Sequence, residues 1–171
     1  FKKAVPLIES IEKAGYEATK YLIDQGNERI AFVSENEEAI INQLKYKGYI
    51  RALKEAFLPI NDDYIIHGQY THDSGMKAAE QLLKLDDRPT AVFTASDELG
   101  MGVIHGAQDF GLKVPEDLEV FGFNNTRLST MVRPTLTAID QPTYDIGAVA
   151  MRLLTKLMNK EEVEESTVIL P

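Results

Sequence analysis

Two kinds of block alternate along this chain. Short, continuous apolar runs recur at residues 30–33, 64–66, 90–94 and 118–121, the first being Ile30-Ala31-Phe32-Val33. Runs of this length, bounded by turn residues, suit strands buried on both faces. Between them lie longer blocks with helical spacing. Ser10 is placed to cap a helix running to Gln25, with Ile11, Ala14, Ala18, Leu22 and Ile23 inward and Gly26-Asn27 as the stop. Pro6 to Ile8 reads as a short extended lead-in. Further helices are predicted over 41–56, from Thr71 or Asp73 to Leu85, and from Ser96 or Asp97 to Phe110, where Gly111 ends the last. An Asn/Thr/Ser loop follows Phe123. Beyond it come an apolar run from Leu136 to Ile139 and a helix over 144–158. A charged connection, 160–165, leads to a last short strand, 167–170.

Strand and helix alternating at this spacing predict an α/β fold, a three-layer sandwich with a mostly parallel sheet. Ligands of such sheets sit beyond the carboxyl ends of the strands. Here those ends are Ser34-Glu35, Ala95-Ser96-Asp97 and Asn124-Asn125.

Composition narrows the function. A formal charge of −9 and a pI near 4.8 make the chain as given a poor partner for phosphate backbones. There is no cysteine, hence no disulfide and no thiolate metal site. No leader and no long apolar run is seen, so the cytoplasm is the expected location. A chain beginning with Phe1 is expected to be part of a longer protein, which takes weight from that argument.

Few residues suggest chemistry. Asp97 and Glu98 are adjacent, so on a helix they point apart and read as a cap and a first-turn carboxylate. His67, His72 and His105 have no metal-ligand spacing between them; His105 reads as a packing or interface residue, and the other two as exposed beside a loop. Gly100 and Gly102, inside a helix, suit close approach of another helix, in this chain or a second one. No nucleophile–base set is visible, so neither catalysis, metal nor cofactor is expected. Arg152 and Lys156, four apart on the final helix, stack on one face. They suit either a solvated helix end or a site for a dianion such as phosphoserine.

The motifs GNERIAFVS (26–34), KGYIRAL (47–53), RPTAVFTASDELGMGVIHGAQDFGLKVPEDLEVFGFNNT (88–126) and QPTYDIGAVAMRLLTK (141–156) together resemble the LacI/GalR family of transcription regulators. The last motif is the most specific, to a branch controlling carbon catabolite repression. The resemblance implies an incomplete periplasmic-binding-protein-like effector core. Residues 6–140 would form its C-terminal lobe, 141–160 a crossover helix belonging to the first lobe, and 161–171 a returning connection and strand. It implies a homodimer meeting DNA only through a headpiece outside this chain, with no membrane contact. The corepressor would be serine-phosphorylated phosphocarrier protein HPr, contacting Tyr144, Asp145, Val149, Arg152, Thr155 and Lys156. The effector cleft would use Lys45, Ser96, Asp97, Asn124 and Gln141. Lys45 and Asn124 stand where many sugar-binding members have arginine and aspartate. That implies either no sugar or sugar phosphates as secondary effectors. The dimer face would use Met101, His105, Met131 and Val132. The runner-up is a sugar-binding transport protein of the same two-lobed fold. The apolar stripe of the 144–158 helix is expected to fold onto the remaining lobe or a second chain.

Overall fold

The computed structural model describes residues 5–36, 38–159 and 161, with side chains from Ile11 onward. In chain order the elements are α1 (Val5–Asp24), β1 (Ile30–Ser34), α2 (Ile40–Glu55), β2 (Ile65–His67), α3 (His72–Leu83) and β3 (Ala91–Thr94). They continue with α4 (Asp97–Asp109), β4 (Glu119–Asn124), α5 (Arg127–Met131), β5 (Thr137–Asp140) and α6 (Thr143–Met158). A single 3-10 turn, Asp62–Tyr64, precedes β2.

The strands form one sheet in the order β2-β1-β3-β4-β5, every pairing parallel. Alternation along each strand sorts the apolar runs into two cores. Ile30, Phe32, Ala91, Phe93, Phe121 and Phe123 face α1 and α2, around buried Tyr49 and Leu53. Ala31, Val33, Val92 and Val120 face α3 and α4, against Leu82, Leu99, Val103 and Ile104. The continuous apolar runs are therefore explained by burial on both faces.

Two stretches depart from expectation, and an alternative left open for α4 is decided. Pro6 to Ile8 is not extended: α1 starts at Val5, and a proline in the first turn costs no helical hydrogen bond. Ser10 accordingly lies inside the helix rather than capping it. The loop after Phe123 holds a short helix, α5. The glycines of α4 meet this chain, not another. A Cβ on Gly102 would stand 2.1 Å from the His72 carbonyl oxygen, and one on Gly75 would stand 2.3 Å from that of Leu99. Helices α3 and α4 thus cross in backbone contact.

Helix α6 differs from all this. None of its residues is buried, and Tyr144, Met151, Leu154, Leu157 and Met158 are exposed. It does not fold onto the lobe. The expected strand at 167–170 and most of 160–165 lie outside the described residues.

Candidate functional site

Parallel strands bring their carboxyl ends to one edge, and α2 adds Lys45 beneath it. Lys45 is buried, with Nζ donating to the Ala95 carbonyl at 2.7 Å and lying 4.1 Å from the centre of the Phe123 ring. Burial pulls its amine down to about 8, against the opposing pull of Glu35 and Asp97. One Glu35 oxygen, Oε1, is buried and unpartnered among the described residues.

Asp97 is 1% exposed. Its Oδ2 accepts from the Thr126 N–H at 2.5 Å. Its Oδ1 lies where a Cβ on Gly122 would come within 2.7 Å, so only glycine lets the carboxylate in. Burial raises its pKa, opposed by the backbone amides of Thr126, Asn125 and Phe123. Asp97 thereby holds the turn in which Asn124 and Asn125 take φ of 101° and 51°, a conformation asparagine tolerates. Ser96 is buried and caps α4 by accepting from Leu99 N–H. Asn124 reaches the Tyr70 hydroxyl at 3.5 Å. Gln141 is half-buried just past β5.

The fold therefore gathers Lys45, Ser96, Asp97 and Asn124 at one edge. Lys45 and Asp97 form its floor, bonded to backbone. Asn124 is half-buried and Tyr70 exposed at its surface. Tyr70 was not foreseen; it sits between a strand end and a helix cap, which was its only signal. Ser34 Oγ lies 2.8 Å from His67 Nδ1. These two are register neighbours on β1 and β2, and Ser34 is fully buried, so the contact knits strands rather than activating a nucleophile.

On the expected dimer face, Met101 and His105 are half-buried on α4 and Met131 is 69% exposed. Val132 is a correction: at 3% exposure it belongs to the chain's own core, because α5 turns it inward. His72 is a second correction. It is half-buried rather than simply exposed, and its Nε2 lies 2.8 Å from His105 Nδ1.

Helix α6 presents Tyr144, Asp145, Arg152, Thr155 and Lys156 to solvent, with Val149 half-buried. Asp145, Val149, Arg152 and Lys156 follow helical spacing along one face. Thr155 Oγ1 donates to the Met151 carbonyl at 2.9 Å. Neither Arg152 nor Lys156 forms a side-chain ion pair or hydrogen bond among the described residues. Two exposed cations one turn apart, one a planar guanidinium, can grip a dianion.

Comparison with known proteins gives a consistent picture. A family model described as periplasmic binding protein-like domain matches residues 19–171. Catabolite control protein A of Priestia megaterium is 61% identical over 161 residues, covering 94% of this chain and 48% of that protein. Catabolite control protein A of Staphylococcus epidermidis is 44% identical over 160 residues, covering 94% and 48%. The crystal structure of the transcription regulator CcpA of Lactococcus lactis superposes with a TM-score of 0.87 at 38% identity, covering 94% of this chain and 59% of that one. The chain spans about half the length of the curated relatives it matches.

Proposed function

Because the chain belongs to the family of periplasmic binding protein-like domains, we propose that it is the sensing core of a LacI-family transcription regulator acting in carbon catabolite control. Helix α6 docks serine-phosphorylated HPr, with Arg152 and Lys156 on the phosphate and Tyr144, Asp145, Val149 and Thr155 around it. Residues 6–140 form one lobe, α6 crosses to the other, and docking biases the orientation of the lobes and of the DNA-binding headpieces. The observation that carries this reading is the state of α6: an amphipathic helix with no buried residue, whose two cations are exposed and unpaired among the described residues. Such a helix suits an external partner carrying a dianion.

The carboxyl edge of the sheet serves as the effector cleft. Asn124, Gln141 and Tyr70 offer hydrogen bonds to a small polyol or sugar phosphate, over the floor made by Lys45, Ser96 and Asp97. Met101, His105 and Met131 supply the two-copy contact.

The test is a titration of the intact protein with HPr in its serine-phosphorylated and unphosphorylated forms. Charge-assisted hydrogen bonds are each worth about 1.5–3 kcal/mol. Arg152→Ala should therefore weaken binding of the phosphorylated form about 10- to 100-fold and leave the unphosphorylated form nearly unchanged. An undiminished preference for phosphoserine would overturn the assignment.

A further inference from the structure

Helix α2 stands between two recesses. On one side its Lys45 reaches Ala95 and the Phe123 ring, beneath the cleft edge described above. On the other side a groove of about 330 Å³ runs against β2, the edge strand of the sheet. Asn42 and Tyr46, one turn apart on α2, line it together with Asp62, Ile65 and His67. None of the cleft residues Lys45, Ser96, Asp97, Asn124 and Tyr70 does so.

The geometry points to this groove as a second small-molecule site, for an uncharged ring polyol about the size of one monosaccharide. Three features carry it. The first is an open acceptor on a buried side chain. Asn42 is 5% exposed, and its Nδ2 donates to the Asn36 carbonyl at 3.1 Å. That bond orients the amide, whose Oδ1 accepts no hydrogen bond among the described residues. An amide oxygen on so buried a side chain rarely goes without a donor, and a ligand hydroxyl supplies one.

The second feature is charge. Asp62 is exposed at the groove, and its carboxylate has no ion pair or hydrogen bond among the described residues. The lining holds no lysine or arginine. Carboxylate and amide oxygens accept, so the ligand must donate, and a phosphate would meet a like charge. The third feature is shape. Ile65 gives apolar surface, and the Tyr46 ring is held by Phe32 and Tyr49, with centroids 5.8 and 6.1 Å away. His67 Nδ1 is tied to Ser34 Oγ at 2.8 Å, so Nε2 is the ring nitrogen left for a ligand. Apolar surface with a few converging polar groups suits a ring whose faces are C–H and whose rim is hydroxyl. The groove belongs to one lobe and depends on neither α6 nor the effector cleft.

The experiment follows the imidazole signals of the intact protein during titration with myo-inositol and, separately, with myo-inositol 1-phosphate. The uncharged ring should shift His67 saturably and leave His72 and His105 in place. Asp62→Ala and Asn42→Ala should each weaken that binding about tenfold, by removing one acceptor. Asp62, being exposed, gives the variant that keeps the fold. Tyr70→Ala, at the effector cleft, should leave the His67 shift unchanged. The phosphate ester should bind at the groove at least about tenfold more weakly than the uncharged ring. The proposal fails if His67 shows no saturable shift, or if Asp62→Ala leaves the affinity intact. Equal binding of the phosphate ester would overturn the acceptor-rich reading. Loss of the shift in Tyr70→Ala would overturn the second site, because His67 would then be reporting the effector cleft.

Discussion

Helices α3 and α6 are equally amphipathic, yet they end in opposite situations. Helix α3 buries Gly75, Ala78, Ala79, Leu82 and Leu83 against α4 and the sheet. Helix α6 buries nothing. An apolar stripe says that a helix has a partner face but not where the partner is. For α3 the partner is α4 and the sheet of this same chain, whereas α6 has no buried residue among those described.

Truncation separates the two most sharply. Leu82→Ala should cost about 2–5 kcal/mol in urea unfolding, because it opens a cavity in a close-packed core. Leu157→Ala on α6 should change stability by less than about 0.5 kcal/mol, as exposed sites do. Similar losses at both positions would mean that α6 packs on the lobe in solution.

Adding a methyl group inverts the sign. Gly102→Ala should cost about 3 kcal/mol, at the upper end for overpacking, because its Cβ would meet backbone rather than a flexible side chain. Gly147→Ala on α6, where a Cβ meets nothing within 4 Å, should gain about 0.5–1 kcal/mol from helix propensity. Thermal melts of both variants check the pair.

Charge burial gives a pH signature that only the lobe should show. The Lys45 amine is held down to about 8 in the folded chain, against about 10.4 when unfolded. Between these values the unfolded chain binds more protons, so folding stability rises with pH. From pH 7.5 to 9.5 this rise should reach about 2 kcal/mol, before unfolded tyrosines ionise. Lys45→Met should remove it, and Lys156→Met on α6 should not. Denaturant unfolding at the two pH values measures the difference.

Capping gives the smallest contrast. Ser96→Ala should cost about 1 kcal/mol by freeing the Leu99 N–H. The start of α6, at Pro142, has no side-chain cap to lose.

The order of strands and helices was legible in the sequence because each block is local. Three- to five-residue apolar runs and 3.6-residue periodicity need only their neighbours to be recognised. Thr71 and Ser96 were named as cap candidates for the same reason, and both accept the capping bond. The strand ends at Ser34-Glu35, Ala95-Ser96-Asp97 and Asn124-Asn125 followed from parallel alternation alone. That Arg152 and Lys156 share one face of α6 followed from helical spacing, although that spacing favoured a solvated helix end over an anion site.

What the tertiary structure decided were meetings between residues far apart in the chain. Lys45 reaches Ala95 and Phe123, Tyr70 reaches Asn124, Asp97 holds Thr126, and His72 finds His105. It also turned Val132 inward and brought Gly102 against α3 rather than against another chain. These outcomes depend on crossing angles and on sheet order, and both are set by how two whole faces pack. Periodicity along one segment carries neither quantity, so the sequence by itself determined the elements and only the packed fold determined their partners.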